Sequence, residues 1–198
     1  SKSWGDLTPI LKEIQQNLRK NSTLSFDQLE CKDILAKRLA QCLNPEFPGG
    51  LHELVLEVYG LILSNIMSTK HKLMDNLYLY SYGLFPFFTN ASIKLKQKFL
   101  KNIISAIYLK LEKDELVLCL PGLLSALIPG LDDNDTETTK MIYQTFNSLI
   151  NYNNGECQRD FFGVYWTLML RCGHLRNSGI KFLLDKVKKY SELSELES

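Results

Sequence analysis

The chain has 198 residues, with 23 lysines and arginines against 22 acidic residues and a net charge of +1. That balance excludes the strongly basic footprint of a dedicated nucleic-acid binder. A hydrophobic share of 45% beside 23% charged residues excludes a disordered chain and points to a folded globular one.

Trp4 to Lys20 predicts a first helix. A second ends at Leu43, with Cys31, Leu35, Leu39, Cys42 and Leu43 on one face and Asp33, Lys37 and Gln41 on the other. Asn44-Pro45 stops it, because Pro45 has no N–H to give and biases Asn44 away from helix. Pro48-Gly49-Gly50 opens a third helix. Its residues Leu51, Leu54, Val55, Val58, Ile62 and Ile66 form one apolar face, and Leu56, Tyr59, Leu63 and Met67 a second. Only Glu53, Glu57, Gly60 and Ser64 make a polar stripe, read as a solvated edge. A helix apolar on nearly all sides must be covered on nearly all sides, so the third helix is expected between neighbours. No apolar run is read as reaching the roughly 18–20 residues of a membrane span. No charged-then-apolar leader opens the chain, so no secretory signal is expected.

A short helix over Asp75 to Tyr82 is expected to break at Gly83. Leu84 to Ala91 follows, with Pro86 in its first turn. Lys94 to Leu111 predicts one amphipathic helix, with Lys94, Lys98, Lys101 and Ser105 opposite Phe99, Leu100, Ile103 and Ile107. Asp114 to Leu127 carries Pro121-Gly122, which predicts a kink or a break. Thr136 to Tyr152, Gln158 to Arg171 and Asn177 to Tyr190 are three further helices, and Ser191 to Ser198 is expected to fray. The β-branched residues sit in 3.6-residue patterns, not in alternating runs. The expected class is therefore all-α: a right-handed α-solenoid of HEAT- or armadillo-like helix pairs, about nine or ten helices, in one domain over residues 1–190 with no internal boundary; no strict sequence repeat is present, and irregular helical layers are the alternative.

Motifs for chemistry are sparse. There is no phosphate-binding glycine loop, zincin helix or nucleophile elbow. The five cysteines include no C-x-x-C pair, which argues against a zinc ribbon or a thioredoxin-like site and for reduced thiols in a cytosolic chain. Cys172-Gly173-His174 places a thiol near an imidazole without further ligands, and reads as a loop at a helix end rather than a thiol enzyme. No cofactor and no metal are expected. The lysines Lys94, Lys98 and Lys101 are candidates for anionic lipid, at about 1 kcal/mol per lysine near a membrane surface; the plain alternative is a solvated helix face. Tyr78, Tyr80, Tyr82, Phe85, Phe87 and Phe88 suit a packed corner between short helices.

Three strings carry a resemblance. Lys37-Arg38-Leu39-Ala40-Gln41-Cys42-Leu43-Asn44-Pro45, followed by Pro48-Gly49-Gly50-Leu51-His52 and Leu56-Glu57-Val58-Tyr59, closely resembles the N-terminal domain of the Dopey family. Leu79-Tyr80-Ser81-Tyr82-Gly83-Leu84-Phe85-Pro86 is similar to its second signature. Pro121-Gly122-Leu123-Leu124, continuing through Leu127-Ile128-Pro129-Gly130-Leu131 to Asp132-Asp133, is similar to its third. Leu51 stands where the family usually has a valine. Lys94 to Asp114 matches weakly, so the lysine stripe is not inherited from the resemblance. The resemblance implies a non-catalytic part of a very large cytoplasmic scaffold, peripheral on Golgi and endosomal membranes. It implies work in endosome-to-Golgi retrieval with a large Sec7-related scaffold protein, and a link to a phospholipid flippase. The candidate partner-binding residues are then Lys37, Arg38, Gln41, Asn44 and His52. The Pro and Gly positions of the first string have a sufficient reason in the turn they build.

Overall fold

The computed structural model describes residues 4–21, 29–70, 72–132 and 134–196, and among them every regular element is helical and none is a strand. Helix α1 is Trp4–Lys20 and α2 is Lys32–Gln41. Helix α3, Gly49–Thr69, lies between neighbours as its two apolar faces require: Val55, Val58, Tyr59, Ile62 and Leu63 are fully buried. Each such side chain contributes roughly 1.5–3 kcal/mol of transfer free energy. Against α3 pack α1, α4 (Leu73–Leu84) and α6 (Ile93–Phe99), with the short α5 (Phe87–Asn90) beside α4.

Two helical runs correct the expectation about membrane-spanning length. Gly49–Thr69 and Lys113–Asp132 are long and apolar enough to cross a bilayer by length and composition alone. In each, 56% of the apolar window is buried inside the protein, as in the core helix of a folded domain.

The break expected at Gly83 comes one residue later: α4 ends at Leu84 and α5 starts at Phe87, so residues 75–91 are not one helix. A Cβ at Gly83 would stand 2.4 Å from the Cβ of Ala40. The glycine therefore marks the place where α4 crosses α2 closely, which only a residue without a side chain permits. Lys94 to Leu111 is not one α-helix either. After α6 the chain widens into a π turn over Leu100–Ser105 and then tightens into a 3₁₀ turn over Tyr108–Lys110. The buried pairs Phe99/Leu100, Ile103/Ile104 and Ile107/Tyr108 recur every four residues. On an α-helix that spacing drifts by about 40° per repeat; the wider turn keeps all three pairs on the core side.

Pro121 sits inside α7 (Lys113–Leu127), which continues across it, so of the expected kink or break the break does not occur. A 3₁₀ turn, Ile128–Asp132, follows. Helix α8 is Thr136–Ile150, and Asp135 caps it by accepting the Thr138 N–H at 2.8 Å. Helix α9 is Gln158–Arg171. Helix α10 is Gly173–Leu196; it starts four residues before the expected Asn177 and stays helical through much of the segment expected to fray.

The packing groups into two compact units, one up to Glu115 and the other from Leu116 on, where the sequence marks no boundary. The core of the first is α3 and its neighbours. The core of the second is a cluster of Phe146, Phe161, Tyr165 and Phe182 from α8, α9 and α10, with ring centroids 5.1 to 6.2 Å apart.

Candidate functional site

The first string folds into the end of α2 and the turn that leads to α3. His52, in the first turn of α3, is buried. Its Nε2 lies 2.9 Å from the Asn44 carbonyl oxygen, which can only accept, so that nitrogen carries the proton. Its ring stands edge-on to Phe87 with centroids 5.2 Å apart. Asn44 Oδ1 accepts the Glu46 N–H at 3.0 Å, closing an Asx turn. His52 therefore fastens the turn from inside. Its Nε2 and its contact with Phe87 are engaged within the protein, so His52 packs locally.

Lys37, Arg38, Gln41 and Asn44 are exposed. Arg38 Nη1 donates to Gln41 Oε1 at 2.9 Å. Among the described residues neither Lys37 nor Arg38 enters an ion pair. Clefts open on both sides of this segment. One, of about 510 Å³, is lined by Lys37, Gln41, Asn44, Gly83, Pro86 and Phe87 among others. The other, of about 620 Å³, lies between α1 and α2 and is walled by Leu7, Ile10, Ile14, Leu35 and Leu39, with Arg38 the only charged lining residue among the described residues. Gln41 and Asn44 line both, so the end of α2 is a ridge between two clefts. It offers two cations, two side-chain amides that can give and accept hydrogen bonds with a peptide, and apolar floors. The Cys42 thiol below it is buried, and burial pushes it up, away from the reactive thiolate.

The lysine stripe is placed differently. Lys94 Nζ reaches Glu53 Oε2 at 3.3 Å and Lys98 bonds the other carboxylate oxygen. The hydrogen bond from Lys98, then that from Lys94, hold Glu53 below the usual carboxylate range. Glu57 accepts from Gln15 Nε2 at 2.6 Å and lies 3.9 Å from Arg19. The carboxylates of the α3 polar stripe thus meet α6 and α1, while the stripe stays solvated at the exposed Glu57 and Ser64. Lys101 is exposed, whereas Lys96 is buried with its Nζ 5.7 Å over the Phe88 ring.

Cys172 is half-buried at the end of α9 and His174 is exposed on α10. Among the described residues no group of three or more His, Cys, Asp or Glu could hold a metal ion. The sequence reading missed Gly83 and Phe87 as walls of a cleft. Their signal was present in the second string, where a glycine follows a run of aromatics, but spacing alone does not reveal that α4 crosses α2 there.

A family model described as "Dopey, N-terminal" matches residues 1–198. Protein DOP1B of Xenopus laevis is 30% identical over 191 residues, covering 96% of this chain and 8% of the relative. Protein DOP1B of Mus musculus is 31% identical over 195 residues, with the same shares. A DOP1 homolog of Drosophila melanogaster is 27% identical over 198 residues, 98% of this chain and 7% of its own length. The chain thus spans less than a tenth of the length of these relatives. No solved structure matches.

Proposed function

The chain belongs to the Dopey family, and from that premise we propose that it is a non-catalytic scaffold or adaptor domain working in membrane traffic. Its mechanism is protein–protein binding, with the helical layers arranged as a solenoid-like support for a recognition ridge. The partner class is a large Sec7-related scaffold protein, with a phospholipid flippase as a further associate. The place is the cytoplasmic face of Golgi and endosomal membranes, in endosome-to-Golgi retrieval. The observation that carries this reading is the ridge at the end of α2: Lys37, Arg38, Gln41 and Asn44 stand exposed between two clefts, and the family's first signature is what builds it.

The competing site, an anionic-lipid face on Lys94, Lys98 and Lys101, is less supported. Two of its three lysines already meet the Glu53 carboxylate, so the stripe carries less net charge than its sequence implies.

The test is a double charge reversal, Lys37→Glu with Arg38→Glu, in the full natural polypeptide. Both residues are exposed, so the fold is expected to stand. The expected result is loss of co-purification with the Sec7-related partner and a diffuse cytoplasmic distribution. Unchanged binding and localisation would remove the ridge from the interface. Liposome binding that rises with anionic lipid, falls with salt and vanishes on Lys94→Glu with Lys101→Glu would favour the lipid face instead.

A further inference from the structure

The second unit carries an apolar surface that the recognition ridge does not use. On α9, Phe162, Trp166 and Leu170 recur every four residues; Trp166 is 53% and Leu170 65% exposed. On α10, Ile180, Leu184 and Val187 recur at four and three, at 40%, 54% and 65% exposure. Neither row is the core row of its helix. The α9 core row is Phe161, Tyr165 and Met169, about 100° round the axis at 100° per residue. The α10 core row is Leu175, Gly179 and Phe182, about 140° away.

Contacts fix where the rows point. The two helices form a hairpin, closed where a Cβ on Gly179 would meet Met169 Sδ at 2.3 Å and where Tyr165 donates to the Gly179 carbonyl at 2.8 Å. Helix α8 lies on the other side of α10, where Tyr143 donates to Asp185 at 2.8 Å and Lys186 reaches Asn147. Going round α10 from the α8 side, one passes the α9 contact and then reaches Ile180, Leu184 and Val187. Going round α9 from Phe161, which touches Phe146 of α8, one passes the α10 contact and then reaches Phe162, Trp166 and Leu170. Because the helices are antiparallel, the two rotations have opposite sense and both rows emerge on one side of the hairpin, away from α8. The two rows are apolar along their length and are headed at their N-terminal ends by the exposed Arg159 and Arg176, and an exposed apolar face of this kind marks a surface built to be covered.

The family model describes an N-terminal region, and the relatives are more than ten times the length of the match. In those proteins a long polypeptide follows the segment equivalent to α10. A helix hairpin open on its outer side is the form in which one layer of a stacked helical protein receives the next, since each layer buries its apolar face only against its neighbours. We propose that the outer face of the α9–α10 hairpin is an intramolecular docking surface, covered by a further helix pair of the same polypeptide that follows α10. This extends the layered arrangement proposed above but does not depend on the ridge at α2, because the two surfaces lie in different units.

The test places a photo-crosslinking amino acid at Leu184 in the polypeptide as its gene encodes it, with a second copy of the experiment at the exposed, charged Lys188 as a control. The expected result is an intrachain cross-link from position 184 to residues beyond 198, read by mass spectrometry. A cross-link to a different protein, to lipid or to a second copy, or none at all, would overturn the proposal. A paired measurement guards against misfolding: Leu184→Glu is expected to leave the melting temperature of the 198-residue chain unchanged, since the side chain is exposed there. In the encoded polypeptide it is expected to raise the rate of proteolytic cleavage after α10 at least several-fold. Equal, unaltered cleavage would contradict the proposal. Ridge variants at Lys37 and Arg38 leave every one of these readouts untouched, so the two proposals fail separately.

Discussion

At the scale of single residues, buried polar groups decide what the signature residues do. His52 has a hydrogen bond to the Asn44 carbonyl and an edge contact with Phe87. His52→Ala leaves the carbonyl without its partner and a cavity beside the phenyl ring. The expected cost is about 2–3 kcal/mol, read as a fall of roughly 4–10 °C in Tm by calorimetry. Tyr59 is the opposite case. Its hydroxyl is fully buried and has no hydrogen-bond partner among the described residues. Burial pushes its ionisation well above the usual tyrosine range, so it stays neutral. Tyr59→Phe removes an unsatisfied group and keeps the shape, so stability is expected to be unchanged or up to about 1 kcal/mol higher; a clear loss in a denaturant titration would show that the hydroxyl has a partner. Glu53 gives a pH dependence whose sign follows from its lowered pKa. A carboxyl held below its unfolded value adds stability above that value, and the contribution disappears as pH falls from the ordinary carboxylate range, about 4.3, through the lower folded value. The Tm difference between the native chain and Glu53→Gln is therefore expected to close as pH falls from 6 to 3. A difference that stays constant would show that the Lys94–Glu53–Lys98 contact does not contribute in solution.

At the scale of elements, the structure turns on close crossings and on departures from ideal helix. Gly83→Ala would drive a Cβ onto Ala40, whose own Cβ is fixed to the α2 backbone and cannot swing aside. The expected loss is about 1–3 kcal/mol, partly recovered by adding Ala40→Gly, and a two-by-two mutant cycle reads the coupling. If Gly83→Ala is tolerated alone, α2 and α4 are not held together at this crossing. Much of this level was legible in the sequence. The bounds of α1 and α9, the stop at Asn44-Pro45 and the coverage of α3 follow from periodicity and proline chemistry. Three features were only partly legible, for physical reasons. Gly83 was expected to break the helix because glycine weakens helices locally, and α4 ends one residue later, but spacing alone does not show the close crossing with α2. Pro121 was expected to bring a kink or a break because it cannot give an N–H, yet α7 continues across it without a break. The π turn at Leu100–Ser105 was hidden because three apolar pairs four residues apart look like an ordinary amphipathic stripe unless the drift per turn is followed.

At the scale of the molecule, the candidate site was half visible. Lys37, Arg38, Gln41 and Asn44 could be singled out from their string, and they are exposed together. The clefts on either side were not readable, since each is made by a helix remote in sequence: α1 for one, the end of α4 with Pro86 and Phe87 for the other. The lysine stripe failed to stay a free basic face because its counter-charge, Glu53, comes from α3 roughly forty residues earlier. Charge patterns on one helix say nothing of what the neighbouring helix presents.

The central claim is that the end of α2 and its two flanking clefts meet a protein partner. Amide hydrogen exchange of the natural polypeptide, alone and saturated with the Sec7-related scaffold, tests it most directly. The account predicts slowed exchange concentrated in residues 35–47 and 83–90, with α6 and α10 unaffected. Protection confined to other segments, or none in a complex that demonstrably forms, would contradict it.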